Sequence, residues 1–289
     1  MAMTYSSLYL DTRRTLKQAG TEAASLEAME LLACAAGKSR EQLQHNMGLY
    51  VGSDMAARLK ELVTRRLAGE PVPYIVGEWE FYGLTLDITR DVLIPRPDTE
   101  TLAQEAIRLA KEAGSGARVL DLCAGSGCVG LAVAAHAPLC RVVLAELDEG
   151  ALRVCRQNAR RTGLSARVTC MEADARKKPA SVLGAFDLLA CNPPYIPTAE
   201  IAELDVSVRD YEPLSALDGG ADGLDFYRVI IPTWAEVLRP GGALLFEVGM
   251  GQADAVAKLL EKDGYRNIAL LADPRGIERV VRATVAEEQ

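Results

Sequence analysis

From Ala117 to the end of the chain, short apolar runs alternate with stretches of helical periodicity, and this alternation limits the fold more than any single motif. The runs RVLDL, RVVLAEL, RVTCMEAD, FDLLACN and ALLFEVG have the length and branched-residue content of buried strands, and ERVVRATV closes the chain. Helical patterns occupy 128–136, 149–162, 224–238 and 251–263 between them. Strand and helix in alternation predict an α/β fold with a doubly wound, mostly parallel sheet and helices on both faces.

The first 71 residues read differently. In AASLEAMELLACAAGKSREQL, Leu26, Met29, Ala33 and Ala36 recur at steps of three and four, Gly37 ends the pattern, and Ser39 with Gln42 forms a capping box for a further helix. Met55, Leu59, Leu62, Val63 and Leu67 make another stripe, closed by Gly69 and Pro71. A small helical domain over 1–71 is expected, then a hairpin linker over 72–98, where Gly, Pro and aromatics interrupt short alternating runs, then the α/β domain over 99–289.

Composition removes several classes of function. The seven cysteines are odd in number, scattered through apolar segments and form no C-x-x-C pair, so they read as reduced core thiols. Two histidines far apart give a histidine-based metal site little to draw on, and no metal is expected. The net charge is −8; residues 1–70 hold 9 Lys/Arg against 8 Asp/Glu, so the acidity belongs to the C-terminal part. Such a charge disfavours nucleic acid as the principal partner. No signal-type start or long apolar run is present, and a cytoplasmic monomer with no membrane contact is expected.

In a doubly wound sheet, ligands bind beyond the carboxyl ends of the strands. Three features fall there. VLDLCAGSGCVG carries G-x-G-x-x-G at Gly125, Gly127 and Gly130, a loop that permits close backbone approach and points helix amides at a ligand. By itself it suits a nicotinamide or flavin dinucleotide equally well. Glu146 ends the second strand, where a carboxylate accepts both ribose hydroxyls of an adenosine; a solvated acidic turn is the alternative. Asp174 ends the third strand and is placed to face an adenine amino group, or to be a plain surface acid.

The most specific feature is Asn192-Pro193-Pro194-Tyr195, after the fourth strand. Two prolines remove two backbone donors and stop the strand. The corner suits methyl transfer to a planar nitrogen, whose delocalised lone pair attacks only when held in line. The Asn192 carboxamide oxygen and the Pro193 carbonyl can accept both N–H groups of such a target, and Tyr195 can pack on its flat face. A plain Pro-Pro-Tyr turn is the alternative.

Beyond these residues, the chain resembles the HemK/PrmC-type N5-glutamine methyltransferases that modify peptide chain release factors. The similar stretches are RRLAGEPVPYIVGEWEFYGL, DVLIPRPDTETL, VLDLCAGSGCVGLAVA, FDLLACNPPYIP, VRDYEPLSALDGGADGLDFYRVI and LLFEVGMGQ, in the family's order and across nearly the whole chain. Adenine methyltransferases share N-P-P-Y, but IPRPDTE and ALDGGADGLDFY are not expected in them. The resemblance implies a seven-stranded, Rossmann-like class I methyltransferase fold, S-adenosyl-L-methionine as methyl donor, S-adenosyl-L-homocysteine as product, and the glutamine of a release factor Gly-Gly-Gln motif as acceptor. It maps cofactor binding onto Cys123, Ala124, Gly125, Ser126, Gly127, Glu146, Asp174, Ala175 and Asn192, and the amide clamp onto Asn192, Pro193, Pro194 and Tyr195. Leu93 is carried over as a wall of the glutamine pocket. Three positions depart from the family pattern: Cys123 stands for the commoner Gly, Glu146 for Asp, and Ala175 where an aromatic is frequent. The helical domain is expected to dock the protein substrate. Competing readings are methylation of a ribosomal-protein glutamine, N6-adenine or N2-guanine methylation of nucleic acid, and a non-catalytic cofactor sensor.

Overall fold

The computed structural model describes residues 3–286 of the 289-residue chain, which divides into two compact units. The first comprises Met1–Glu78 and a later segment, Asp205–Tyr211; the second comprises Trp79–Leu204 and Glu212–Gln289.

The first unit is helical: α1 (Tyr5–Gln18), α2 (Ala24–Ala36), α3 (Arg40–Asn46), α4 (Ser53–Leu67) and the short α5 (Val72–Val76). The capping box at α3 is as expected, with Gln42 N donating to Ser39 Oγ at 3.1 Å and Ser39 N to Gln42 Oε1 at 3.0 Å. Gly37 ends α2 in the left-handed conformation. The buried face of α2 overlaps the expected one only in part: it is Ala24, Ala28, Leu31, Leu32, Ala33 and Ala35, while of the expected stripe Met29 and Ala36 are half-buried and Leu26 is 44% exposed. A helix this rich in alanine and leucine carries several overlapping apolar stripes, so periodicity alone does not choose among them. Leu59 and Leu62 of α4 are buried, whereas Leu67 is exposed. The segment 205–211 holds the short α9 (Val206–Arg209). It joins this unit through the Tyr211 hydroxyl, which donates to the Ala68 carbonyl at 3.1 Å, and through Val206 beside Gly69.

The expected hairpin narrows to β1 (Glu78–Phe81) and β2 (Leu84–Asp87). They are joined by Tyr82 and Gly83, both at positive φ (49° and 76°), as a two-residue hairpin loop that follows the strand twist requires.

The second unit is built on one seven-stranded sheet in the order β5-β4-β3-β6-β7-β9-β8. In chain order its elements are α6 (Thr99–Glu112), β3 (Arg118–Leu122), α7 (Cys128–His136), β4 (Arg141–Glu146), α8 (Glu149–Arg161), β5 (Val168–Glu172), β6 (Phe186–Cys191), α10 (Asp225–Trp234), β7 (Leu238–Glu247), α11 (Ala253–Lys262), β8 (Arg266–Ala272) and β9 (Glu278–Thr284). β3 to β7 pair in parallel, and β9 lies antiparallel between β7 and β8. β8, absent from the strand pattern read above, is an edge strand whose residues are only partly buried, with Asn267 at φ 54° inside it; neither alternation nor an unbroken apolar run marks it.

The central strands are buried on both faces, as covered parallel strands must be. Trp234, Tyr227, Phe186 and Phe246 fill the core, and the polar tips there are satisfied: Trp234 Nε1 donates to the Ala175 carbonyl and Tyr227 Oη to the Glu247 carbonyl, at 2.9 and 2.8 Å.

The seat of α7 on the sheet depends on Gly130. A Cβ there would lie 2.2 Å from Leu144 Cδ2 and 3.0 Å from Asp121, and the Gly130 amide donates to Asp121 Oδ2 at 2.8 Å. Gly130→Ala should therefore force the helix off the sheet and lower stability by about 1–3 kcal/mol, read as a fall in the urea midpoint at unchanged slope.

Candidate active site

Parallel pairing places the carboxyl ends of β3, β4, β5 and β6 along one edge, and a cavity of about 630 Å³ opens there. That size and position suit a small-molecule ligand.

The loop after β3 turns through left-handed backbone conformations beside the cavity. Cys123, Gly125 and Gly127 have φ of 60°, 54° and 81°. A non-glycine residue at φ 60° is uncommon, so the backbone at Cys123 takes a conformation that glycine adopts more readily. The loop is tied down by Asn158, whose Nδ2 donates to the carbonyls of Ser126 (3.0 Å) and Asp87 (3.1 Å) while its Oδ1 accepts from Asp87 N. Glu146 is held more firmly still, accepting from the amides of Gly125 (2.8 Å), Leu147 (2.7 Å) and Asp148 (2.9 Å). Its carboxylate is thus oriented before any ligand arrives.

Of the nine residues expected around the methyl donor, Cys123, Ala124, Gly125, Ser126, Glu146, Asp174, Ala175 and Asn192 all border this cavity. Gly127 does not. It caps the start of α7, and the space a Cβ would take is filled by Leu144, Cys155 and Leu131. Burial acts to raise the Asp174 carboxyl, but the Arg176 amide and the charges of Arg176 and Lys177 outweigh it and hold the group below its ordinary range.

Of the residues expected to grip the acceptor, Leu93, Asn192 and Pro194 border the cavity, while Pro193 and Tyr195 do not. Pro193 is buried. The Tyr195 ring is turned towards Gly249, and its hydroxyl donates to Glu247 Oε1 at 3.4 Å. The aromatic ring in the wall is Phe226, from the DGLDFY stretch, with the Arg176 guanidinium 5.7 Å from its centroid.

The corner itself is braced by backbone packing. Gly219 and Gly223 leave room for the Tyr195 main chain, since a Cβ at either would fall within 2.7 Å of Tyr195 backbone atoms. Gln252 Nε2 donates to the Tyr195 carbonyl at 2.9 Å, and Gln252 Oε1 accepts from Gly249 N at 2.9 Å. Asn192 Nδ2 donates to Thr99 Oγ1 at 3.4 Å.

Sequence reading did not single out two buried acids. Asp121, in β3, borders the cavity; burial pushes its carboxyl up to about 7 against the Gly130 amide, and Glu146 adds to the rise. Glu247, at the end of β7, is pushed up to about 7 by burial, with Thr99 and Arg279 opposing. Each is a lone acid at an apolar strand position, the one signal by which sequence could have marked it.

Residues 8–77 match the PrmC N-terminal domain family and residues 99–206 the methyltransferase small domain family. The hMettl16 catalytic domain, solved with a MAT2A 3′UTR hairpin, has a TM-score of 0.59 at 17% identity over 81% of this chain and 82% of that one, a likeness of fold alone. Among curated proteins, the release factor glutamine methyltransferase of Geobacter sulfurreducens is 44% identical over 93% of both chains. That of Moorella thermoacetica is 39% identical over 95% of this chain and 96% of its own. Identity of this degree across nearly the full length of both partners means that the chain belongs to the release factor glutamine methyltransferase family.

Proposed function

We propose that this protein transfers a methyl group from S-adenosylmethionine to the side-chain amide nitrogen of the glutamine in the Gly-Gly-Gln motif of peptide chain release factors, in the cytoplasm. The observation that carries the reading is the Asn192 carboxamide at the end of β6, in the wall of the cavity that Glu146 also borders.

The cavity fits the donor in size and chemistry: a fixed carboxylate for ribose hydroxyls, a glycine loop for close approach, and Phe226 as an apolar surface for a purine. When bound, S-adenosylmethionine supplies an electrophilic sulfonium methyl group. Glu146 would hold the ribose, Asp174 and Ala175 the adenine side, and the loop 123–127 the amino-acid end.

The protein's own contribution is to make an amide nitrogen nucleophilic. Asn192 Oδ1, in the cavity wall, accepts one N–H and holds the nitrogen in line; the Pro193 carbonyl, expected to accept the second, belongs to a residue set behind that wall and would reach the amide only once the acceptor is seated against the corner. Positive charge develops on that nitrogen only as the bond forms, so these acceptors stabilise the transition state more than the ground state. The nitrogen's proton then passes to solvent, and no covalent enzyme intermediate is needed. Tyr195, bonded to Glu247, anchors the corner, while Leu93 and Pro194 confine the glutamine side chain. The helical first unit is assigned to docking the release factor.

Labelled S-adenosylmethionine with a release factor, with and without Gln→Ala in its Gly-Gly-Gln loop, tests the assignment: label should enter only the unaltered factor. Asn192→Ala should lower kcat by about 10²- to 10³-fold and change donor affinity much less. Near-normal turnover in that variant removes the clamp. Glu146→Ala should show the opposite split, weakening donor binding measured by calorimetry more than it lowers kcat at saturation.

A further inference from the structure

An asparagine is a useful acceptor only if its oxygen, and not its NH2, faces the incoming amide. The two ends of a carboxamide are alike in shape, so something must choose between them.

Three groups lie in sequence from Asn192 into the interior. Asn192 Nδ2 is 3.4 Å from Thr99 Oγ1. Thr99, at the start of α6, is 2% exposed, and its hydroxyl lies near enough to the Glu247 carboxylate to favour that group's ionised form. Glu247 is 1% exposed; its Oε1 takes the Tyr195 hydroxyl, and its Oε2 is fully enclosed without a further hydrogen-bond partner among the described residues. An ionised carboxylate can only accept, so the single Thr99 hydrogen is drawn to Glu247. The oxygen of Thr99 is then left as an acceptor, which the NH2 of Asn192 satisfies and its oxygen does not.

Accepting the methyltransferase reading above, we propose that Thr99 and Glu247 are positioning residues that set the polarity of Asn192, locking its NH2 inward and its oxygen towards the methyl acceptor. The direction of each hydrogen bond is inherited from the one behind it, and the chain starts at a group that has no hydrogen to give. Tyr195 donates into the same carboxylate, so both ends of the Asn192-to-Tyr195 corner are referred to one buried charge.

Protonation of Glu247 gives it a hydrogen and lifts the constraint. The groups around it are Arg279 on β9, which pairs with Asp98 at 3.0 Å and reaches Asp273 at 3.9 Å, and Tyr195, Tyr227 and Cys128 on the loop after β6, α10 and α7. Burial pushes Tyr195, Tyr227 and Cys128 up, so they keep their protons at neutral pH. Burial also lifts Glu247 to about 7, and the direction follows: the ionised, orienting form grows as pH rises through that value. Asp121 rises to about 7 as well, so pH dependence in the native protein alone does not isolate Glu247.

The test uses the full chain with Thr99→Val, Thr99→Ser and Glu247→Gln. Thr99→Val keeps the shape and removes the hydroxyl; kcat should fall about 10- to 100-fold with the donor dissociation constant changed less than about threefold. Thr99→Ser should recover most of that loss. Glu247→Gln, which can donate as well as accept, should lower kcat and flatten its rise between about pH 6 and 8. Equal losses in Thr99→Val and Thr99→Ser, or a Thr99→Val enzyme within twofold of native kcat, overturn the proposal. The Asn192 side-chain NH2 resonances, identified by their loss in Asn192→Ala, provide a readout independent of acceptor. They should shift with pH around 7 in the native protein and stay fixed in Glu247→Gln and Thr99→Val; identical titrations in all three also overturn it. If the native enzyme fails to methylate release factor while these resonances behave as stated, the acceptor assignment falls and the relay stands.

Discussion

Five consecutive sheet strands, β3 to β7, run the same way, and the candidate site depends on that constraint. Parallel strands require crossover connections, usually helical, and each crossover leaves the sheet at the same edge. The chain therefore delivers the glycine loop, Glu146, Asp174 and Asn192 to one place, although they span some seventy positions. Close helix seating follows from it too: α7 can lie on the sheet only because Gly130 has no side chain, and its first turn carries the loop that borders the cavity.

The interior of the site is ordered by hydrogen bonds of fixed direction. Glu146 is oriented by three amides and Asn158 by three backbone groups, so their rotamers are settled by the scaffold. The stretches IPRPDTE, ALDGGADGLDFY and EVGMGQ converge on one corner: Thr99 meets the Asn192 side chain, Gly219 and Gly223 make space for the Tyr195 backbone, and Gln252 holds its carbonyl.

Much of this was legible in the sequence because the central strands are buried on both faces and read as unbroken apolar runs. The loop after β3, Glu146 and the Asn192 corner were legible because their residue types are costly elsewhere. β8 was not, since a half-exposed edge strand carries no regular pattern. The face of α2 was placed only in part because alanine and leucine fill too many of its positions for periodicity to select one. Tyr195 reads in sequence as a surface for the acceptor, yet its hydroxyl points to Glu247; a partner 52 positions away leaves no local trace. For the same reason Thr99 carries no local mark, and Glu247 only that of an acid ending an apolar strand.

The return of residues 205–211 to the first unit has a consequence for how this polypeptide could be divided. The chain passes between the units three times, after Glu78, after Leu204 and after Tyr211, so neither unit is a single continuous stretch. A fragment beginning at Trp79 would carry α9 without the Ala68 carbonyl and the glycine it rests on, leaving Val206 and Tyr211 without their seat. The helical unit is thus stitched in and not appended: exchange by recombination at a single breakpoint would separate it from part of itself.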